Sequence, residues 1–202
     1  MNYGDLKASI EATLNRTDTT PALTAAFVDK GIRLIQRRAR LPFMEQAVVV
    51  EVGADFSGLD VPGDFLGMIA LHHAGDPRAL EPVGRAAFDT VPAAARPQVY
   101  TRDRGSFLLA GRPPAGSTLR YSYHADATAL NADGDSNGLL AAMPDLVEWA
   151  ALIFAAEHFE DPRGERWAAR YEAVMADVEA QNARLVLDDA AVAPLAGWAA
   201  VR

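Results

Sequence analysis

Cysteine is absent from the 202-residue chain, and histidine occurs only four times. The first absence removes disulfides, thiolate zinc sites and cysteine nucleophiles together. The second leaves too few imidazoles for a rich metal site. Aromatic residues make up only 8% of the chain, so few large rings are available to fill a core. No apolar run approaches the ~18 residues needed to cross a bilayer. The start, MNYGDLKASIEATL, carries Asp5 and lacks the apolar stretch of a signal peptide. Basic residues are the minority, with 19 Lys+Arg against 27 Asp+Glu and a formal charge of −8. That balance disfavours a sequence-independent grip on nucleic acid, because phosphate binding needs a basic footprint. The expectation is a soluble protein, made in the cytoplasm, with no metal centre and no cofactor.

What is present is mostly small and helix-forming. Hydrophobic residues are 50% of the chain, and alanine is the largest part of them; alanine buries little area and favours helix. Leu6, Ile10 and Leu14 recur at spacings of four, which predicts a short helix over 3–14. Thr20-Pro21 reads as an N-cap followed by proline at the first helical position. A second helix is expected from there to about Arg40, buried through Leu23, Phe27, Leu34, Ile35 and Leu41 and ended by Pro42. Gly31 inside it costs about 1 kcal/mol relative to alanine, which marks a candidate close helix crossing. The period then changes. Short runs at 48–52, 59–61, 67–73, 98–102, 106–110 and 117–123 predict strands separated by turns, with one helical turn near 84–89. In the last run Leu119, Tyr121 and Tyr123 alternate with Arg120, Ser122 and His124, so one face is buried. Helix returns at Pro144-Asp145, running to about Phe159 with apolar residues on most sides, and again after Asp161-Pro162. The latter carries a stripe of Trp167, Tyr171, Val174, Val178 and Leu185. The expected fold is α+β and mainly α: a four-helix core over 1–42 and 143–185, an inserted antiparallel β module with its loop over 43–142, and an extended C-terminal tail over 186–202.

Catalytic chemistry finds no anchor. Asp133-x-Asp135-x-Asn137-Gly138 matches the opening half of a calcium loop, but the twelfth position, which needs a bidentate Glu, is Pro144. A solvated turn before a helix uses the same residues. His72 and His73 are adjacent in a predicted strand, so their side chains are expected on opposite faces and not on one ligand. No nucleophile elbow, phosphate-binding loop or dinucleotide fingerprint occurs. Two features suit interaction instead. Arg33, Arg37 and Arg40 fall at i, i+4 and i+7 within a basic patch that includes Lys30 and Arg38. Such a stripe fits a carboxylate-rich protein surface, and it equally fits a solvated helix face with local ion pairs. The tail carries Leu195, Trp198 and Val201, which suit either an arm that docks on a neighbouring chain or an unordered end.

The order of these phrases carries a resemblance. RLIQRRARLPFMEQ, LDVPGDFLGMIAL, RPQVYTRDRGSFLLAGRPPAGSTLRYSYHADATAL and DLVEWAALIFAAEHFEDPRGERWAARYEAVMADVEAQNA follow one another over residues 1–185. Together they resemble the head–tail adaptor, or connector, proteins of tailed bacteriophages and of gene-transfer particles. The resemblance implies a non-enzymatic structural protein of the virion, in the neck of the particle. It implies a ring, usually of twelve copies, below the portal, through which DNA passes without sequence-specific binding and which meets a downstream neck, stopper or tail protein. It implies a helical bundle with a β insertion, a C-terminal docking segment and no membrane. Portal or inter-subunit contact would fall on Arg33, Arg37, Arg40, Leu195 and Trp198. Other readings compatible with the segment order are another phage neck or tail component, or a bacterial small-molecule-binding protein or enzyme with a scattered site.

Overall fold

Asn2 opens the first helix by accepting the Asp5 amide on its side chain, while the Asp5 carboxylate takes the Asn2 amide, a reciprocal cap. The computed structural model describes residues 1–73 and 75–191. The elements are α1 (Tyr3–Leu14), α2 (Pro21–Arg38), a 3-10 turn (Pro42–Met44), β1 (Glu45–Glu51), β2 (Leu59–Asp60), β3 (Phe65–His73) and β4 (Glu81–Pro82). They continue as α3 (Arg85–Phe88), β5 (Val99–Asp103), β6 (Ser106–Leu109), β7 (Thr118–Ala125), α4 (Gly138–Ala142), α5 (Pro144–Phe159) and α6 (Gly164–Ala191). Two compact units result: Met1–Pro42 with the chain from Thr128 onward, and Phe43–Ala127.

In the helical unit α5 is the centre, packed on α1, α2, α4 and α6. Leu146, Val147, Ala150, Ala151, Leu152 and Ala155 are all fully buried, which is the burial on most sides that its composition implies. Thr20 caps α2 by accepting the Leu23 amide at 3.3 Å, with Pro21 at the first helical position. The buried side of α2 is Thr24, Phe27, Val28, Gly31, Ile32, Ile35 and Gln36; Leu23 and Leu34 sit at its margin, half-buried. On α6 the buried line is Trp167, Tyr171, Met175 and Val178. Met175 is fully buried where Val174, expected on this line, is half-buried, so the buried face reaches one residue further round the helix than the expected stripe. This helix continues through Ala191 instead of ending near 185. No glycine or proline intervenes before Pro194, so nothing in that stretch stops it. The Leu185 side chain, Leu195, Trp198 and Val201 lie outside the described residues.

The loop after Ala127 was expected to belong with the strands; its hydrogen bonds run to α1. The amides of Tyr3 and Gly4 donate to the carbonyls of Asp135 and Asp133, each at 2.8 Å, satisfying N–H groups that a helix start leaves open. Lys7 pairs with Asp133 at 2.6 Å. The Asp135 carboxylate accepts the amides of Asn131 and Ala132, which hold its pKa below the ordinary value. Asn137 caps α4 by accepting the Leu140 amide and donates to the Thr128 carbonyl. The half calcium motif is thus an anchor for α1.

The second unit holds two sheets, ordered β1-β7-β3 and β2-β6-β5-β4. All pairs are antiparallel except β4–β5, which is parallel. In β7 the expected alternation holds, with Leu119, Tyr121, Tyr123 and Ala125 buried at 5% exposure or less. They share one core with Leu71, Leu80, Tyr100 and Phe107. Phe65 stacks on Tyr123 and meets Phe107 edge-on, so aromatic rings in mutual contact fill the middle of this core.

Candidate interaction surface

Four basic residues near the end of α2 have four different fates. Arg33 pairs with Asp29 one turn back, Nη2 to Oδ2 at 3.0 Å, with both side chains more than 60% exposed. Arg37 is exposed, and its Nε donates to the Arg33 carbonyl at 3.2 Å. Arg38 reaches across to α6, where Nη1 meets Glu172 at 2.6 Å and Nε meets Glu179 at 2.8 Å. Those two carboxylates push the Arg38 pKa well above its ordinary value. Arg40 leaves the row. Helix α2 ends at Arg38, Ala39 is extended at φ −124° and ψ 147°, and the Arg40 guanidinium folds back onto the carbonyls of Gln36 and Ala39. Cations are favoured at such a C-terminus by its unpaired carbonyls. The Arg40 carbonyl is itself held by Asn182 at 2.9 Å. The expected three-residue stripe is therefore Arg33 and Arg37, extended one turn back by Lys30, whose Nζ lies 5.8 Å from the Phe154 ring centroid.

Sequence reasoning included Arg38 in the patch without giving it a role. The signal was available on α6, where Glu172 and Glu179 stand seven apart, two turns on one side. Beneath this contact Tyr171 is 2% exposed, and burial raises its hydroxyl pKa.

The other end of the bundle is acidic. Glu157, Glu160, Asp161 and Glu165 surround a notch of about 370 Å³ between the end of α5 and the start of α6, floored by Ile153, Ala156 and Ala168. Among the described residues, Asp161 alone of these four carboxylates has a hydrogen-bond or ion-pair partner. Its carboxylate accepts from the Arg163 side chain at 2.6–3.1 Å and from the Arg163 amide at 2.9 Å. Arg163 in turn donates to the carbonyls of Thr13 and Leu14, tying the end of α1 to the start of α6. The guanidinium draws the Asp161 pKa down to about 2. A carboxylate whose folded pKa is depressed stabilises fully above its unfolded value and loses that contribution as pH falls through the folded one. Asp161→Asn is therefore expected to cost about 1–2 kcal/mol at pH 6, the worth of a charge-assisted turn cap. Thermal melts should show the gap to the unchanged chain closing as the pH is lowered from 4 to 2.

In the β unit His72 pairs with Arg120 and His73 with the buried Leu119 across β3–β7, so the two adjacent histidines fall on opposite faces, as the strand period predicts. Both residues border one pocket with Asp76, Arg120 and Ser122. The Nε2 of His73 is buried and has no hydrogen-bond partner among the described residues. Among the described residues no group of three or more metal-ligating side chains is assembled, and no helix is long and apolar enough to cross a membrane.

No curated protein matches the chain. A family model does, the one described as SU10 adaptor protein, and it matches residues 1–195. That span takes in the helical unit on both sides of the insertion, the whole β unit and Leu195, which is nearly the full 202 residues. With the α+β architecture and the order of its elements, the match identifies a structural protein of the bacteriophage particle: the chain belongs to the SU10 adaptor family of phage head–tail adaptors.

Proposed function

We propose that the protein forms a ring, of twelve copies, beneath the portal of a phage-like particle, where it extends the DNA channel and joins the capsid to the neck or tail. The observation that carries this reading is the family match over residues 1–195. Two properties support it. The net charge of −8 suits a conduit that does not hold phosphate. The exposed Arg33 and Arg37 give an otherwise acidic molecule a local basic side for a protein partner. In this reading the segment 186–202, with Leu195 and Trp198, docks on the portal, because its apolar residues gain most from leaving water. Arg40 contributes by fixing the end of α2 and makes no contact of its own.

The test is particle imaging of the purified protein mixed with the purified portal. A ring of density stacked on one face of the portal is expected. Trp198→Ala should weaken that association by at least tenfold in a pull-down, the scale of one aromatic anchor. A protein that shows no affinity for the portal under conditions where its fold is intact overturns the reading.

A further inference from the structure

We propose that the Lys30–Arg33–Arg37 side of α2 docks into the carboxylate-rimmed notch between α5 and α6 of a second copy of the same chain. The inference deepens the adaptor reading, on which it rests for the existence of a ring, by naming the two surfaces that meet.

Two of the rim carboxylates, at the end of α5, are charged in the wrong place for the isolated chain. Glu157 stands in the last turn of α5, and Glu160 is its C-cap, where the helix already presents unpaired carbonyls and carboxylates are disfavoured. Glu160 also adopts a left-handed conformation at φ 52° and ψ 41°, a position that glycine or asparagine fills with less strain. Neither residue, nor Glu165 opposite, has an ion-pair or hydrogen-bond partner among the described residues. Local stability accounts for Glu165, which stands in the first turn of α6 where a carboxylate is favoured, and for neither Glu157 nor Glu160. An incoming cation accounts for those two, because it neutralises the rim and answers the helix end at once. The floor fits the same guest: Ala156 and Gly164 approach so closely that a Cβ on Gly164 would lie 2.9 Å from that of Ala156. The surface between the carboxylates is therefore low and apolar, suited to the aliphatic stem of an arginine or lysine whose head reaches the rim. A volume of about 370 Å³ admits one such side chain with room around it.

The α2 side supplies the complement. Lys30 and Arg37 have no carboxylate partner among the described residues, and Arg33 has only the exposed Asp29. Within one chain Lys30 is turned over the Phe154 ring and Arg37 toward the Arg33 carbonyl, so neither reaches the rim. Every copy carries both surfaces. Contact between two different patches is heterologous, and such contacts repeat from copy to copy into a ring when the rotation closes.

The absence of cysteine makes the test clean. Arg37→Cys and Glu157→Cys are placed in one chain, which is mixed with portal and oxidised. A ladder of disulfide-linked oligomers is expected on a non-reducing gel. An equal mixture of the two single variants should stop at dimers, and each single variant alone should remain monomeric. Charge reversal gives a second readout. Arg33→Glu with Arg37→Glu, or Glu157→Arg with Glu165→Arg, should each abolish the ring while leaving the circular dichroism and melting temperature close to those of the unchanged chain. Combining all four changes should restore it. Rings that survive either reversal, a combined variant that folds but does not assemble, or single variants that cross-link as readily as the double one overturn the contact. If the unchanged chain stacks on the portal while the double-cysteine variant gives no ladder, the contact fails and the adaptor reading stands. If the ladder forms but no portal affinity is found, the contact stands and the adaptor reading fails.

Discussion

Gly31→Leu is expected to unfold the helical unit under conditions where the unchanged chain is fully folded at room temperature, or to lower its melting temperature by roughly 6–12 °C if it still folds. A Cβ at Gly31 would lie 2.9 Å from the Ala151 amide nitrogen and 3.1 Å from the Ala150 carbonyl carbon and Cβ. Two of these three atoms are backbone in the middle of a buried helix and cannot rotate aside. Gly31→Ala has to set a gain of about 1 kcal/mol in helix propensity against that clash. A net loss of about 1–2 kcal/mol is expected, since forcing extra volume into packed interiors costs about 1–3 kcal/mol. Leucine adds three more carbons at the same point and separates α2 from α5, which is the central helix of the unit. Hydrogen exchange locates the damage: amides of α2 and α5 should lose protection together, while those of β7 keep theirs. A leucine variant as stable as the unchanged chain would mean that α2 does not cross α5 at this residue.

The second large effect is expected at Gly111, in the other unit. Its φ is +121°, a region closed to L side chains, and a Cβ there would coincide with the backbone of Ala94. The loop before β5 is laid against the end of β6 by the Ala94 amide, which donates to the Ala110 carbonyl at 3.2 Å. Gly111→Ala combines backbone strain of about 1–3 kcal/mol with a collision that only displacement of this loop can relieve. A loss of about 3 kcal/mol or more is expected, read as a lower melting temperature and as faster exchange of the Ala94 amide. Gly116, also at positive φ (+80°), has open space around the corresponding Cβ. Gly116→Ala should therefore cost only the strain, and the difference between the two variants isolates the collision. Equal losses at both positions would contradict the packing of the 90–97 loop.

Much of the fold could be read from local pattern because local pattern is what causes it. Spacings of four place Leu6, Ile10 and Leu14 on one buried line, and the alternation of Leu119, Tyr121 and Tyr123 sets the inner face of β7. Thr20-Pro21 gives the start of α2 whatever packs around it. Gly31 was recognisable as a crossing point because an uncompensated glycine inside a helix needs a neighbour to explain it. Gly111 carried no such mark. It lies at the edge of a turn rich in proline and glycine, and its importance comes from a loop some seventeen residues earlier in the chain. The five-residue α4 and the two-residue β4 were equally hidden, being too short to show a period.

The interaction surface divides in the same way. The sequence alone established an acidic, cysteine-free, alanine-rich chain with a basic run near the end of its second helix, and the order of segments that carries the resemblance to head–tail adaptors. Residue spacing could not say what each arginine does, because a side chain of that length chooses its partner from whatever the fold brings near. Tertiary structure spent Arg38 on Glu172 and Glu179, turned Arg40 back onto the end of its own helix, and left Arg37 without a carboxylate among the described residues. It also gathered Glu157, Glu160 and Glu165 around one notch by folding α6 back along α5. Local propensity fixes which segments are helix and strand, since the forces involved act within a turn or two. Which charges are satisfied and which remain for a partner depends on distances between segments far apart in the chain, and only the packed molecule sets those.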